Sequence, residues 1–103
     1  MELKPGSRWR SAVCDTELVV VRPPKVADTP LECGGYPVIP HAEARDPART
    51  PAEDFADGSQ TGKRYADEET GLEVLCTKAG AGTLSINGRP IGAKEAKKLP
   101  ASD

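Results

Sequence analysis

The feature that most constrains the fold of this chain is that it nearly repeats itself. Gly6-Ser7-Arg8-Trp9 stands over Gly62-Lys63-Arg64-Tyr65, with Gly and Arg identical and an aromatic ring after each Arg. At the same offset of 56, Glu17-Leu18-Val19-Val20-Val21-Arg22 stands over Glu73-Val74-Leu75-Cys76-Thr77-Lys78. Both segments open on Glu, carry an apolar middle and close on a base. Dropping three residues from the next turn gives an offset of 53, and Leu31-Glu32-Cys33-Gly34-Gly35-Tyr36-Pro37-Val38 then stands over Leu84-Ser85-Ile86-Asn87-Gly88-Arg89-Pro90-Ile91. Leu, Gly and Pro are identical there, and a β-branched residue follows each Pro. Three matches in the same order imply an internal repeat covering 6–38 and 62–91, joined by a connector over 39–61.

Each repeat reads as short β-segments. The Arg-aromatic segment comes first. A polar stretch follows, Ser11 to Thr16 or Ala66 to Gly71. A strand of about six residues comes next, rich in side chains that suit a pleated surface. Its apolar centre does not alternate strictly, which predicts burial on both faces or a central position in the sheet. A hairpin closes the unit. Asn87-Gly88 supplies the positive φ angles of a two-residue type I′ turn, and Gly34-Gly35 does the same in the first repeat. Pro37 and Pro90 follow these turns; proline has no N–H for a ladder, so the return strands belong at sheet edges.

Ten Gly and ten Pro in 103 residues break the chain into short pieces and oppose long helices. One short helix is expected in the connector: Thr50 as its cap, Pro51 at the first helical position, Glu53 completing a capping box, Gly58 as the stop and Phe55 as its anchor in the core. Residues 93–98 read as a short helix or ragged strand. Two three-strand units cannot each bury a core alone. The expectation is therefore an all-β single domain over 1–103, in which the copies pack face to face as a small β-barrel or sandwich of about six short strands.

A formal charge of −2 gives no whole-molecule drive toward nucleic acid or an anionic membrane. No apolar run approaches the ~18 residues that span a bilayer, and the first residues lack the apolar core of a secretory signal. Cys14, Cys33 and Cys76 are an odd count without C-x-x-C spacing, which fits reduced thiols in the cytoplasm better than a disulfide framework.

Four groups are candidates for function. The repeated pairs Arg8-Trp9 and Arg64-Tyr65 could face a shared ligand or protein partner, or the rings could fill the core with the arginines solvated above them. Cys14, Cys33, Cys76 and His41 have the donor set of a tetrahedral zinc site. Against that, Cys33 and Cys76 match Ile86 and Val20 in the sister repeat, as buried packing cysteines would. Lys94, Lys97 and Lys98 are a small basic cluster read as a solvated surface, and Asp67-Glu68-Glu69 lacks the pattern of a calcium loop.

With no nucleophile–base constellation, the leading expectation is a non-catalytic binding or accessory protein that docks on a partner protein through its open strand edges. It has no nucleic-acid or membrane role, and the open edges leave a homodimer available. The alternative is a small zinc- or thiol-dependent module built on Cys14, Cys33, Cys76 and His41. An enzyme using Cys33 or His41 in a cleft between the repeats is the outsider.

Overall fold

A computed structural model of the chain describes residues 2–26, 28–46 and 48–93. The expectation for 93–98 and the cluster Lys94, Lys97 and Lys98 fall, apart from Ala93, outside the described residues. The chain is mainly β, arranged as two antiparallel sheets. Its strands are β1 (Arg8–Arg10), β2 (Glu17–Arg22), β3 (Leu31–Cys33), β4 (Tyr36–Pro37), β5 (Ile39–Pro40), β6 (Arg64–Ala66), β7 (Glu73–Lys78), β8 (Leu84–Ile86), β9 (Arg89–Pro90) and β10 (Gly92–Ala93). One sheet has the order β10-β6-β7-β2-β1-β5 and the other the order β4-β3-β8-β9.

Both orders read the same from either end once residues 56 or 53 apart are exchanged. In the larger sheet Val19 pairs with Leu75, its counterpart at 56, while Leu18 pairs with Cys76 and Val20 with Val74. In the smaller sheet Glu32 pairs with Ser85, its counterpart at 53, flanked by Leu31 with Ile86 and Cys33 with Leu84. Backbone bonds follow the same rule. Gly6 N donates to Val20 O and Gly62 N to Cys76 O, both at 2.8 Å; Val20 N donates to Ser7 O and Cys76 N to Lys63 O, both at 2.9 Å. Strands from 8–40 and from 64–93 therefore meet at the middle of both sheets, β2 with β7 and β3 with β8.

The hairpins form as the turn chemistry requires. Gly34 and Gly35 have φ of 69° and 88°, Asn87 and Gly88 of 51° and 79°. Both central residues of a type I′ turn need this left-handed region. Pro37 and Pro90 lie on β4 and β9, the two edges of the smaller sheet. After each proline a buried residue, Val38 or Ile91, donates its N–H to Leu31 O or Leu84 O, and the chain then crosses to the larger sheet as β5 or β10.

Four expectations are corrected. Neither sheet closes into a barrel: β10 and β5 remain open edges of one, β4 and β9 of the other. The described residues form ten strands, because the return segments divide between the sheets at Val38 and Ile91 and so add β5 and β10. Ile39 and Pro40, read as connector, pair with Arg10 and Trp9. Of the two readings of the long strands, central position holds, since β7 and β2 are the middle of the larger sheet, and burial on both faces does not: in β2 Leu18 and Val20 are 1% exposed, Val19 is half-buried and Val21 is 41% exposed.

The connector helix also shrinks to one 3-10 turn, Glu53–Phe55, without a side-chain cap. Its ends are claimed by neighbouring loops: Ala52 N donates to Gly34 O and Thr83 N to Phe55 O, both at 2.8 Å. Asp57 N, which a longer helix would return to Glu53 O, donates instead to Thr83 Oγ1 at 2.8 Å, so the turn stops there. Phe55 is half-buried, with its ring lying over the Gly34-Gly35 turn.

The core lies between the sheets. Leu18, Val20, Leu31, Leu72, Val74, Leu84 and Ile86 form it with all three cysteines, and Trp9 packs at its margin. Full burial of each large aliphatic side chain contributes about 1.5–3 kcal/mol, so these residues hold the sheets together.

Candidate functional site

Strand pairing decides which side chains share a face. Directly opposed residues point the same way, so Arg8, Val19, Leu75 and Arg64 form one row across β1, β2, β7 and β6 on the outer face of the larger sheet. Val19 and Leu75 are half-buried at its centre, and the two exposed arginines close its ends. Arg10 and Glu17 form a parallel row beside it.

The carboxylates on this face are already engaged. Glu17 Oε1 meets His41 Nε2 at 2.9 Å, and Glu17 Oε2 lies 4.0 Å from Lys78 Nζ. Glu73 Oε2 accepts from Arg64 Nη1 at 3.4 Å. Arg8 has no ion pair among the described residues. Arg8, Arg10, Arg22, Arg64 and Lys78 share this face with Glu17 and Glu73, so bases outnumber acids on it, on a chain of formal charge −2. Arg8, Glu17, Val19, His41 and Lys78 line part of a depression of about 360 Å3 on it.

The Arg-aromatic pairs divide between the faces of the sheet. Alternation along β1 and β6 turns Trp9 and Tyr65 inward while Arg8 and Arg64 stay outside. Tyr65 is buried, its hydroxyl accepting from Gln60 N at 2.9 Å, and Trp9 Nε1 donates to Ser7 Oγ at 2.9 Å. Each ring anchors its strand beneath an exposed guanidinium.

The cysteine and histidine candidates do not gather at one point. Cys14 and Cys33 meet with their sulfurs 3.8 Å apart, in the core. Cys76 is buried too, but its thiol donates to Lys78 O at 3.2 Å. His41 lies on the outer face with Glu17. Among the described residues no group of three or more His, Cys, Asp or Glu side chains could hold a metal ion.

Around Cys14 stand residues that the sequence did not single out. Ser11 Oγ accepts from the backbone N–H groups of Val13 and Cys14, both at 3.1 Å, and so folds the loop. Cys14 donates to Thr16 Oγ1 at 3.2 Å, and Thr16 Oγ1 lies 2.6 Å from Ser59 Oγ. Gly82 N donates to Cys14 Sγ at 3.3 Å. The Cys33 thiol beside it, with the Ser11 and Thr16 hydroxyls, lowers the Cys14 thiol against the opposing effect of burial. Cys33 is raised, first by its bond to Cys14 and then by burial; burial also raises Cys76. The acidic loop behaves similarly in the other half. Asp67 is buried and accepts from Arg89 and from Thr70 N and Oγ1, and these bonds hold its carboxyl well below the usual carboxylate range. Thr70 N to Asp67 is the counterpart, 56 residues on, of Cys14 N to Ser11.

A wider groove of about 630 Å3 runs past Arg22, Lys25, Asp67, Glu68 and Glu73. Its charges are mixed, and it selects no class of ligand. No helix among the described residues is long and apolar enough to cross a membrane. The chain matches no protein-family model, no curated protein and no solved structure.

Proposed function

We propose that this chain is a small non-catalytic binding protein that docks an acidic protein surface on the outer face of its larger sheet. The observation that carries the reading is the row Arg8-Val19-Leu75-Arg64, an apolar pair set between exposed guanidiniums. Arginines around an apolar centre are the composition of a protein interface. The carboxylates that could neutralise the face are held by His41, Lys78 and Arg64, which leaves Arg8 for a partner's acid. Nucleic acid is a poorer match. Single strands need exposed rings for base stacking; on this face Trp9 and Tyr65 turn inward, and the exposed Tyr36 lies on the smaller sheet.

The two halves are read as copies of one ancestral unit. The matching offsets, turns and backbone bonds support this, and it places Arg8 and Arg64 as equivalent positions on either side of Val19 and Leu75. A cytoplasmic setting follows from reading the three free cysteines as reduced thiols.

The test is affinity capture from the native host with wild type and the double variant Arg8→Glu, Arg64→Glu, at low and high salt. A partner retained by wild type should be lost from the variant, with affinity at least about tenfold weaker, and should elute as salt screens the face. Equal recovery with the charge-reversed protein, or no partner above background with wild type, refutes the reading.

A further inference from the structure

We propose that Cys14 and Cys33 form a dithiol that a hydroperoxide converts to an intramolecular disulfide. The site is a cluster rather than a lone thiol. The two sulfurs stand 3.8 Å apart, and a disulfide needs about 2.05 Å, so they must close by less than about 2 Å. Cys33 is fixed on β3, in the centre of the smaller sheet. Cys14 belongs to the β1–β2 loop, which can follow the closing bond.

The surroundings give the two sulfurs different roles. Cys14 is 7% exposed and Cys33 0%, so an oxidant arriving from solvent meets Cys14 first. Gly82 N–H points at Cys14 Sγ, and the Thr16 hydroxyl can turn to donate to it, which favours a thiolate there. The lowered Cys14 and raised Cys33 thiols agree with that division. Cys76 does not join the pair: its thiol donates to Lys78 O at 3.2 Å, whereas Cys14 and Cys33 face each other. The shared turn does not require the pair either. The counterpart half closes the same turn with Asp67 and Thr70, and places Ile86 where Cys33 stands.

The chemistry balances in two steps. The Cys14 thiolate attacks one peroxide oxygen; the O–O bond breaks, Cys14 becomes a sulfenic acid, and hydroxide or alkoxide leaves. The Cys33 sulfur then attacks Cys14 Sγ. The S–S bond forms, the S–O bond breaks, and the hydroxyl leaves with the Cys33 proton as water. Two thiols lose two electrons and the peroxide gains them.

The experiment treats the native full-length protein with a small excess of hydrogen peroxide, removes the oxidant, then unfolds and alkylates it for intact-mass and peptide analysis. The expected product is about 2 Da lighter before alkylation, takes up one alkyl group instead of three, and yields a Cys14–Cys33 cross-linked peptide with Cys76 alkylated. Three alkylated thiols, a disulfide containing Cys76, an intermolecular disulfide, or Cys14 arrested as an oxyacid would each overturn the proposal. A Cys33→Ala variant should instead accumulate a Cys14 sulfenic acid trapped by dimedone, and failure to trap it refutes the order of steps. The wild-type result decides the pairing without that variant.

Discussion

Substituting Gly82 tests the packing that brings the two sulfurs together. A Cβ built there would lie 2.8 Å from Gly34 N, 2.9 Å from Cys33 Sγ and 3.0 Å from Gly34 Cα. Two of these atoms are backbone of a hairpin turn with φ fixed in the left-handed region, so they yield little. Overpacking of a full core costs about 1–3 kcal/mol, and the upper end applies where backbone must move. Replacing glycine by alanine returns about 0.4–1 kcal/mol by narrowing the unfolded ensemble. Gly82→Ala should therefore destabilise the protein by about 2 kcal/mol, which lowers the melting temperature of a domain this size by roughly 8–16 °C. Urea and thermal unfolding measure this directly, with Gly92→Ala as control, since nothing lies within 4 Å of a Cβ at that position. Removing the Cys33 sulfur should relieve part of the clash, so Cys33→Ala and Gly82→Ala should combine to less than the sum of their separate effects. If Gly82→Ala unfolds at the same midpoint as Gly92→Ala, the 79–83 loop does not press on the β3–β4 turn, and the sulfur pocket loses its wall.

Two further outcomes follow from burial and charge. Asp67 has a folded-state pKa below its unfolded value, so its contribution is present above about pH 4 and is lost as pH falls further. The stability gap between wild type and Asp67→Asn, followed by urea midpoints from pH 7 down to pH 2, should be widest at neutral pH and close below about pH 4; a constant gap contradicts the Asp67–Arg89 and Asp67–Thr70 bonding. Leu18→Ala should cost about 2–5 kcal/mol, whereas Val19→Thr on the opposite face should change stability by about 0.5 kcal/mol, and equal losses in equilibrium unfolding would mean that both faces of β2 are buried.

Much of the architecture was legible in local chemistry. Paired Gly or Asn-Gly turns require positive φ, so the hairpins at Gly34-Gly35 and Asn87-Gly88 follow from the residues themselves. Proline's missing N–H likewise confines Pro37 and Pro90 to edges. The offsets of 56 and 53 recur in every strand boundary from β1 and β6 to β5 and β10. Local pattern misled where non-local bonds intervened. The sequence over 50–58 carries helix signals, but the Thr83 hydroxyl takes the Asp57 N–H that a helix would use. The run Leu18-Val19-Val20-Val21 left burial on both faces open beside a central position; β2 is central in its sheet, and only one side of it is buried.

The candidate sites divide in the same way. That Arg8 and Arg64 occupy like positions, each next to a ring, was available from the repeat alone. That their guanidiniums share a row with Val19 and Leu75, while Trp9 and Tyr65 turn inward, depends on the register across four strands. The meeting of Cys14 with Cys33, and the placing of Gly82 N–H and Ser59 around them, joins residues up to 68 apart in the chain. Turn chemistry and strand period act over a few residues and can be read from those residues. Which sulfur touches which, and which face meets water, are settled only when distant segments compete for the same buried space.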